Sequence, residues 1–300
     1  MRISVLPDGI EGEILSNTSA NPNSNKMSRN TQWWKLMTMD TELTFATAAA
    51  SHSKEQRFQP NEHAHEYYQA SLLSAVMQGV YDGTVTIGEL LTHGNFGLGT
   101  FNALDGEMIV ADGVAYRLDG EGKATVARNT ALTPYAAVIN FEPTVSMSLD
   151  KTTDKHSFES QLDGLAEAKN LFYAVRFVGR IKHIKYRNVL RQDKPYKPLL
   201  EVVKTQAEFE LNDVDGTILG FRCPDYAVGI GVPGYHLHFI SSDLKKGGHV
   251  LDYTLSNGRL DIDHTSSLHL ELPETKSFSD ADLTAGASAD GILKAESNDK

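Results

Sequence analysis

The sequence predicts an α/β protein of the α+β kind, with two domains each built on a mixed, largely antiparallel β-sheet carrying a few helices. Three observations carry that prediction. Apolar runs in the first half are separated by Asp-Gly pairs starting at Asp105, Asp112 and Asp119, and Asp-Gly between such runs marks hairpins because both residues accept positive φ at low cost. Runs of β type return through the second half between Phe172 and Leu272. Segments of helical period are few, the clearest being Leu72, Leu73, Val76, Met77 and Val80, with Gly83 as a stop.

In chain order, residues 1–61 are rich in Ser, Thr, Asn and Gln without a sustained period, which predicts a disordered arm. The first sheet domain spans 62–152. It opens on the helix just named and a second one, entered through a capping box at Thr86-Ile87-Gly88-Glu89 and closed by Gly94 as a left-handed cap. Strands follow at 96–101, 107–110, 114–118, 124–127 and 136–141. A polar run at 151–154 marks the boundary with a second domain, 153–273. That domain has a helix at 157–170 whose apolar stripe includes Leu162, Leu165 and Ala166. Its strands are expected at 172–178, 181–190, 199–203, 207–211, 217–221, 235–240, 249–255 and 268–272. Residues 274–300, rich in Ser, Ala, Asp and Gly, form a tail.

Composition excludes some functions. With 300 residues and 40% apolar content the chain can bury one large core or two modest ones. Its 39 acidic and 28 basic residues give a formal charge of −11, which opposes the phosphate neutralisation that nucleic acids and anionic membranes require. No apolar run approaches the ~18 residues of a membrane span, and no signal peptide is expected. The single cysteine, Cys223, cannot form an intramolecular disulfide, which favours a reducing, cytoplasmic setting.

The chemistry concentrates in histidines. His236 and His238 flank Leu237 in an apolar run that reads as a strand, so alternation projects both imidazoles from one face. His249 opens a further run after Gly247-Gly248. If that strand folds back beside the first, three neutral imidazoles converge on one divalent metal and leave a coordination position open, as in catalytic rather than structural zinc sites. A buried or surface cluster without metal is the alternative. His63 and His65 share the spacing but lie in a polar, acidic stretch without a third partner, which predicts solvated side chains. His93 is expected at a helix end in a capping role.

No Walker loop and no G-x-G-x-x-G between strand and helix is present. A Lewis-acid metal can then serve as the electron sink, stabilising the enediolate left when a carboxylate next to a ketone leaves as carbon dioxide. Such chemistry also needs a cation for the carboxylate and a proton donor. Arg176, Arg180, Arg187 and Glu107 are candidates that the residues alone do not separate.

Four blocks, HGNFGLGTFNALDGEMIVADGVAYRL (93–118), NLFYAVRF (170–177), KPYKPLLEVVKTQ (194–206) and GYHLHFISSDLKKGGHVLDY (234–253), closely resemble α-acetolactate decarboxylases. The resemblance implies a dimeric carboxy-lyase that converts 2-acetolactate to acetoin and carbon dioxide at one Zn2+ per chain, held by His236, His238 and His249. It further implies Arg187 as the arginine of the site, Glu107 as its glutamate and Thr100 as a substrate-binding threonine. A second glutamate is implied from the tail folding back over the metal, and Glu296, the only glutamate after Glu274, is assigned to it. The three ligands alone also suit a zinc hydrolase or hydratase, and a non-catalytic metal-binding β-protein remains a further alternative.

Overall fold

The computed structural model describes residues 65–296, apart from 167 and 287, so the expectation of a disordered arm at 1–61 and the position of His63 lie outside the described residues. Fifteen strands are described: β1 (Glu66–Ala70), β2 (Val85–Thr86), β3 (Phe96–Thr100), β4 (Glu107–Ala111), β5 (Val114–Leu118), β6 (Ala124–Val126), β7 (Leu132–Thr133), β8 (Ala136–Ile139), β9 (Val145–Leu149), β10 (Thr153–Asp154), β11 (Phe172–Asn188), β12 (Ala207–Cys223), β13 (Gly234–Ser241), β14 (Gly247–Thr265) and β15 (Ser267–Glu271). The helices are α1 (Leu73–Met77), α2 (Ile87–His93), α3 (Lys155–Leu165), α4 (Leu199–Val202), α5 (Lys276–Asp280), α6 (Leu283–Gly286) and α7 (Ala289–Glu296). None of them is long and apolar enough to cross a membrane.

The first sheet has the order β15-β1-β8-β3-β4-β5-β6, and the second runs β10-β14-β11-β12-β13 with β9 and β13 also paired to β14. All pairings are antiparallel except β1 with β15. The mixed α/β class therefore holds. Between β4 and β5, Asp112 and Gly113 both take positive φ, 49° and 78°, the geometry that an Asp-Gly hairpin turn requires. Phe96, Leu98, Ile109, Leu219, Phe221 and Ile240 pack together from the two sheets in one core.

Several local expectations change. The strands read as separate pairs merge, 172–178 with 181–190 into β11 and 207–211 with 217–221 into β12. Gly179 lies opposite both Gly216 and Gly258. At Gly216 and Gly258 an added Cβ would come within 2.7 Å of the Phe239 or Phe177 ring, so these glycines make room for aromatic cover rather than ending strands. Residues 199–203 are helical rather than extended: α4 starts directly behind Pro198, and a helical turn puts Leu199 and Val202 on one face, both buried in one cluster. Thr86 does cap α2, its Oγ1 accepting from the Glu89 N–H at 3.1 Å. Gly94 is extended (φ −174°) rather than left-handed; glycine is needed there because a Cβ would sit 2.6 Å from the Ile139 amide nitrogen. Finally, β15 joins the first sheet, not the second.

Candidate metal centre

Strand register assembles the site. His236 and His238 share one face of β13, His238 lies opposite His249 of β14, and His249 lies opposite Arg187 of β11. Gly248 allows that last approach: a Cβ there would stand 2.5 Å from the Arg187 carbonyl oxygen. From the other sheet, Thr100 at the end of β3 faces Glu107 at the start of β4. The two sheets are tied at this point by the His238 Nδ1–H, which donates to the Met108 carbonyl at 2.7 Å. The tail closes the arrangement: Ile292 and Ala295 of α7 are buried in a cluster with Leu73, Val76, Leu104 and Leu199, which sets Glu296 over the imidazoles.

The ligand atoms of His236, His238 and His249 lie within 4.8 Å of one another, and all three side chains are buried. Burial, followed by the Arg187 charge, pushes the His236 imidazole down to about 3. Burial also holds His238 and His249 well below the usual histidine range, with the neighbouring imidazoles and Arg187 adding to it. All three are therefore neutral at physiological pH, the form that ligates metal. At His238 the tautomer follows from geometry: because Nδ1 donates to a carbonyl, Nε2 carries the lone pair, and this buried Nε2 has no hydrogen-bond partner. A buried acceptor left open, oriented from behind by a carbonyl, is the pattern of a metal-ligating histidine. His249 Nε2 donates to the Glu296 carbonyl at 2.9 Å, a bond that a metal on that nitrogen would replace. An all-imidazole, thiolate-free donor set fits a divalent ion of zinc type.

Arg187, 3% exposed, spans the two carboxylates. Its Nη1 lies 3.6 Å from Glu107 and its Nη2 3.3 Å from Glu296, and Nη2 also donates to the Ala295 carbonyl at 3.0 Å. The buried Nε has no partner, so one prong of the fork stays available. Burial pushes the Glu107 carboxyl up to about 7; Arg187 opposes this, Glu296 adds to it, and the Val189 amide partly offsets it. Burial likewise raises Glu296, against the pull of Arg187. Glu296 Oε2 stands 3.7 Å from His236 Nε2 and 3.5 Å from His249 Nε2. Both carboxyls are thus held above the usual carboxylate range by burial, with the guanidinium between them pulling the other way.

A cavity opens on this cluster. Thr100, Glu107, Arg187, His236, His249 and Glu296 line its polar side, and Leu73, Val76, Leu104, Tyr135, Val189 and Leu199 its apolar side. The Thr100 hydroxyl donates to the Gly106 carbonyl at 2.8 Å, which leaves its oxygen as an acceptor. Of the residues assigned to the site from the sequence, Thr100, Glu107, Arg187, His236, His249 and Glu296 border this space, and His238 stands behind it as the third member of the histidine cluster. Arg176 and Arg180 stand elsewhere, paired with Asp112 and Asp261 and with Asp215. The apolar side carried no signal beyond side-chain apolarity. Leu104 is notable within it: it follows Ala103 in a turn where both take positive φ, 61° and 51°, a conformation costing a non-glycine residue about 1–3 kcal/mol. Outside the site, His65 is not simply solvated but pairs with buried Asp263 at 2.8 Å, and His93 stacks on Tyr68 with ring centroids 3.8 Å apart.

The chain is similar to known proteins of one family. Residues 67–285 match the alpha-acetolactate decarboxylase family. The chain is 47% identical over 241 residues to the alpha-acetolactate decarboxylase of Methylococcus capsulatus, covering 80% of this chain and 93% of that protein. It is 41% identical over 231 residues to that of Bacillus subtilis, covering 77% and 89%. The crystal structure of alpha-acetolactate decarboxylase from Bacillus subtilis superposes with a TM-score of 0.76 at 40% identity, covering 78% of this chain and all of that one. The family match ends before Glu296, whose place beside the imidazoles rests on the fold of the tail. With sequence, fold and a buried three-histidine group in agreement, this chain belongs to the alpha-acetolactate decarboxylase family.

Proposed function

We propose that this chain decarboxylates 2-acetolactate to acetoin and carbon dioxide, with a divalent metal held by His236, His238 and His249. The observation that carries the reading is one buried guanidinium, Arg187, facing three neutral imidazoles and flanked by two buried carboxyls, Glu107 raised to about 7 and Glu296 raised as well. The metal, when bound, supplies an electrophile for the negative charge that develops on the ketone oxygen as carbon dioxide leaves. Arg187 orients the departing carboxylate through its open Nε, as a guanidinium fork suits a planar oxyanion. Thr100 Oγ1 accepts a hydrogen bond from the substrate hydroxyl. Glu107, with its carboxyl near 7, holds a proton at Oε and delivers it to the carbon left behind, a value matched to general acid work. We assign Glu296 the same role from the Nη2 side of Arg187. The apolar wall excludes water while that carbon awaits its proton.

The ion we assign is zinc, one per chain, on the donor set and the family resemblance. A homodimer is the assembly the resemblance implies, and the exposed Leu268 and Leu272 of the β15 region offer apolar surface for association. A cytoplasmic setting is supported by Cys223 as the lone cysteine, buried and unpaired. The test is an acetoin assay on 2-acetolactate with metal analysis before and after chelation. Activity is expected to track one metal per chain and return on adding zinc; a metal-free preparation that keeps full activity, or a metal-loaded one that hydrolyses esters but releases no carbon dioxide, sinks the reading.

A further inference from the structure

The turn between β3 and β4 carries chemistry at both ends, Thr100 before it and Glu107 after it. Between them the backbone does something unusual. Ala103 and Leu104 occupy consecutive left-handed positions, φ 61° and 51°, where residues with a Cβ are rare and a leucine is a marked outlier. Neither is a glycine, although the chain uses glycine two residues later, at Gly106 with φ 96°. The turn is held from several sides. The Ala103 N–H donates to the Tyr81 carbonyl at 2.8 Å, the Gln192 N–H donates to the Ala103 carbonyl at 2.7 Å, and the Gly106 N–H donates to the Leu104 carbonyl at 2.8 Å. Asp105 is paired with Arg117 at 3.0 Å and with Arg191 at 3.4 Å.

Strain maintained by this many contacts is kept for a position, and the position is that of the Leu104 side chain. It is buried and borders the same cavity as Thr100, Glu107 and Arg187. Of the other apolar wall residues, Leu73, Val76 and Leu199 sit on short helices, Tyr135 just precedes β8 and Val189 just follows β11. Leu104 alone among the wall residues belongs to the rigid turn that fixes two of the polar groups, so its distance from the reacting atoms is set together with theirs. Resting on the decarboxylase reading, we propose that Leu104 is a specificity-determining residue: it bounds the space open to the alkyl group on the tertiary carbon of the substrate, admitting a methyl and disfavouring anything longer. A fixed apolar wall of this kind discriminates a single methylene by about 10–200-fold, which is the scale on which the effect is to be read.

The experiment compares 2-acetolactate with the homologue bearing an ethyl group in place of the methyl on its tertiary carbon. Both are assayed by carbon dioxide release with zinc-loaded wild type, Leu104→Ala and Leu104→Gly. Glycine adopts the positive φ without cost, so Leu104→Gly keeps the test open if Leu104→Ala misfolds; circular dichroism and metal content accompany each assay. The expected result is a rise of about tenfold or more in the ethyl-to-methyl ratio of kcat/KM for the folded variants, against a strong methyl preference in wild type. A merely structural role would lower both substrates alike and leave the ratio unchanged, and that outcome overturns the inference alone. Failure of wild type to release carbon dioxide from either compound overturns the decarboxylase reading and this inference with it.

Discussion

At the scale of the residue, the site is governed by what burial does to charge. Three imidazoles are kept neutral and two carboxyls are pushed toward neutrality, while Arg187 alone keeps a permanent charge between them. A point charge cannot replace it: an ammonium has no planar fork, so it cannot hold Glu107, Glu296, the Ala295 carbonyl and a substrate carboxylate together. Arg187→Lys is expected to lower kcat/KM for 2-acetolactate by about 100-fold with metal content unchanged, as measured by steady-state assay and metal analysis. Near-normal turnover in that variant would remove Arg187 from the mechanism. The three histidines were legible because strand alternation and a hairpin return translate directly into side-chain direction. Arg187 was not separable from Arg176 and Arg180 by residue type alone; what separates them is partnership, since Arg176 pairs with exposed Asp112 and buried Asp261 and Arg180 with exposed Asp215, away from the cavity, whereas Arg187 sits opposite His249. Glu296 was beyond any local pattern, 47 residues from His249, and is brought in by the burial of Ile292 and Ala295 and by the bond from Arg187 to the Ala295 carbonyl.

At the scale of the element, α7 is the piece on which the site depends without being part of either sheet. It has eight residues, too few to be stable as an isolated helix, and it is held by Ile292 and Ala295 in the cluster around Leu73, Val76 and Leu199. Ile292→Asp places an unpaired charge in that cluster and is expected to release the tail rather than unfold the sheets. The readout is kcat/KM, expected to fall by about 100-fold through loss of the Glu296 proton site, alongside a small change in melting temperature. Full activity with a tail that proteolysis shows to be released would mean that Glu296 does nothing for the reaction. Among the elements, the hairpins were readable and the long strands were not. Gly179, Gly216 and Gly258 look like strand ends in a sequence, yet they align as a row across the second sheet because Phe177 and Phe239 need the space a Cβ would fill. Only the neighbouring strands supply that reason.

At the scale of the whole molecule, the metal-free protein carries a cluster whose protonation opposes its fold. His236, His238 and His249 have folded values below the ordinary 6.5, so the stability they allow is present above 6.5 and is lost as pH falls through that value toward about 3 for His236. Glu107 and Glu296 act oppositely, because their folded values are raised above 4.5, and their contribution is lost as pH rises toward the Glu107 value of about 7. Between about 4.5 and 6.5 unfolding lets three imidazoles take up protons while two carboxyls give them up, so the imidazoles, the larger group, set the sign of the slope. The chelated protein is therefore expected to gain stability from pH 5 to pH 6.5 in urea titrations, on the order of 1 kcal/mol per pH unit, and His236→Asn should flatten the slope. A midpoint that falls over this range would contradict the assignment of neutral imidazoles.

The parallel pairing of β15 with β1 reaches into how the chain is made. β1 is among the first described segments to leave the ribosome and β15 comes roughly two hundred residues later, after every strand of the second sheet. Until then the outer edge of β1 offers unpaired backbone groups to whatever lies near, and the first sheet waits on the second for its last strand. Folding of the two is thus coupled by chain order, and α7, which carries Glu296, follows that strand in the chain. Among the described residues Glu296 comes after every strand, so the space it closes is the last of the fold to be bounded in chain order.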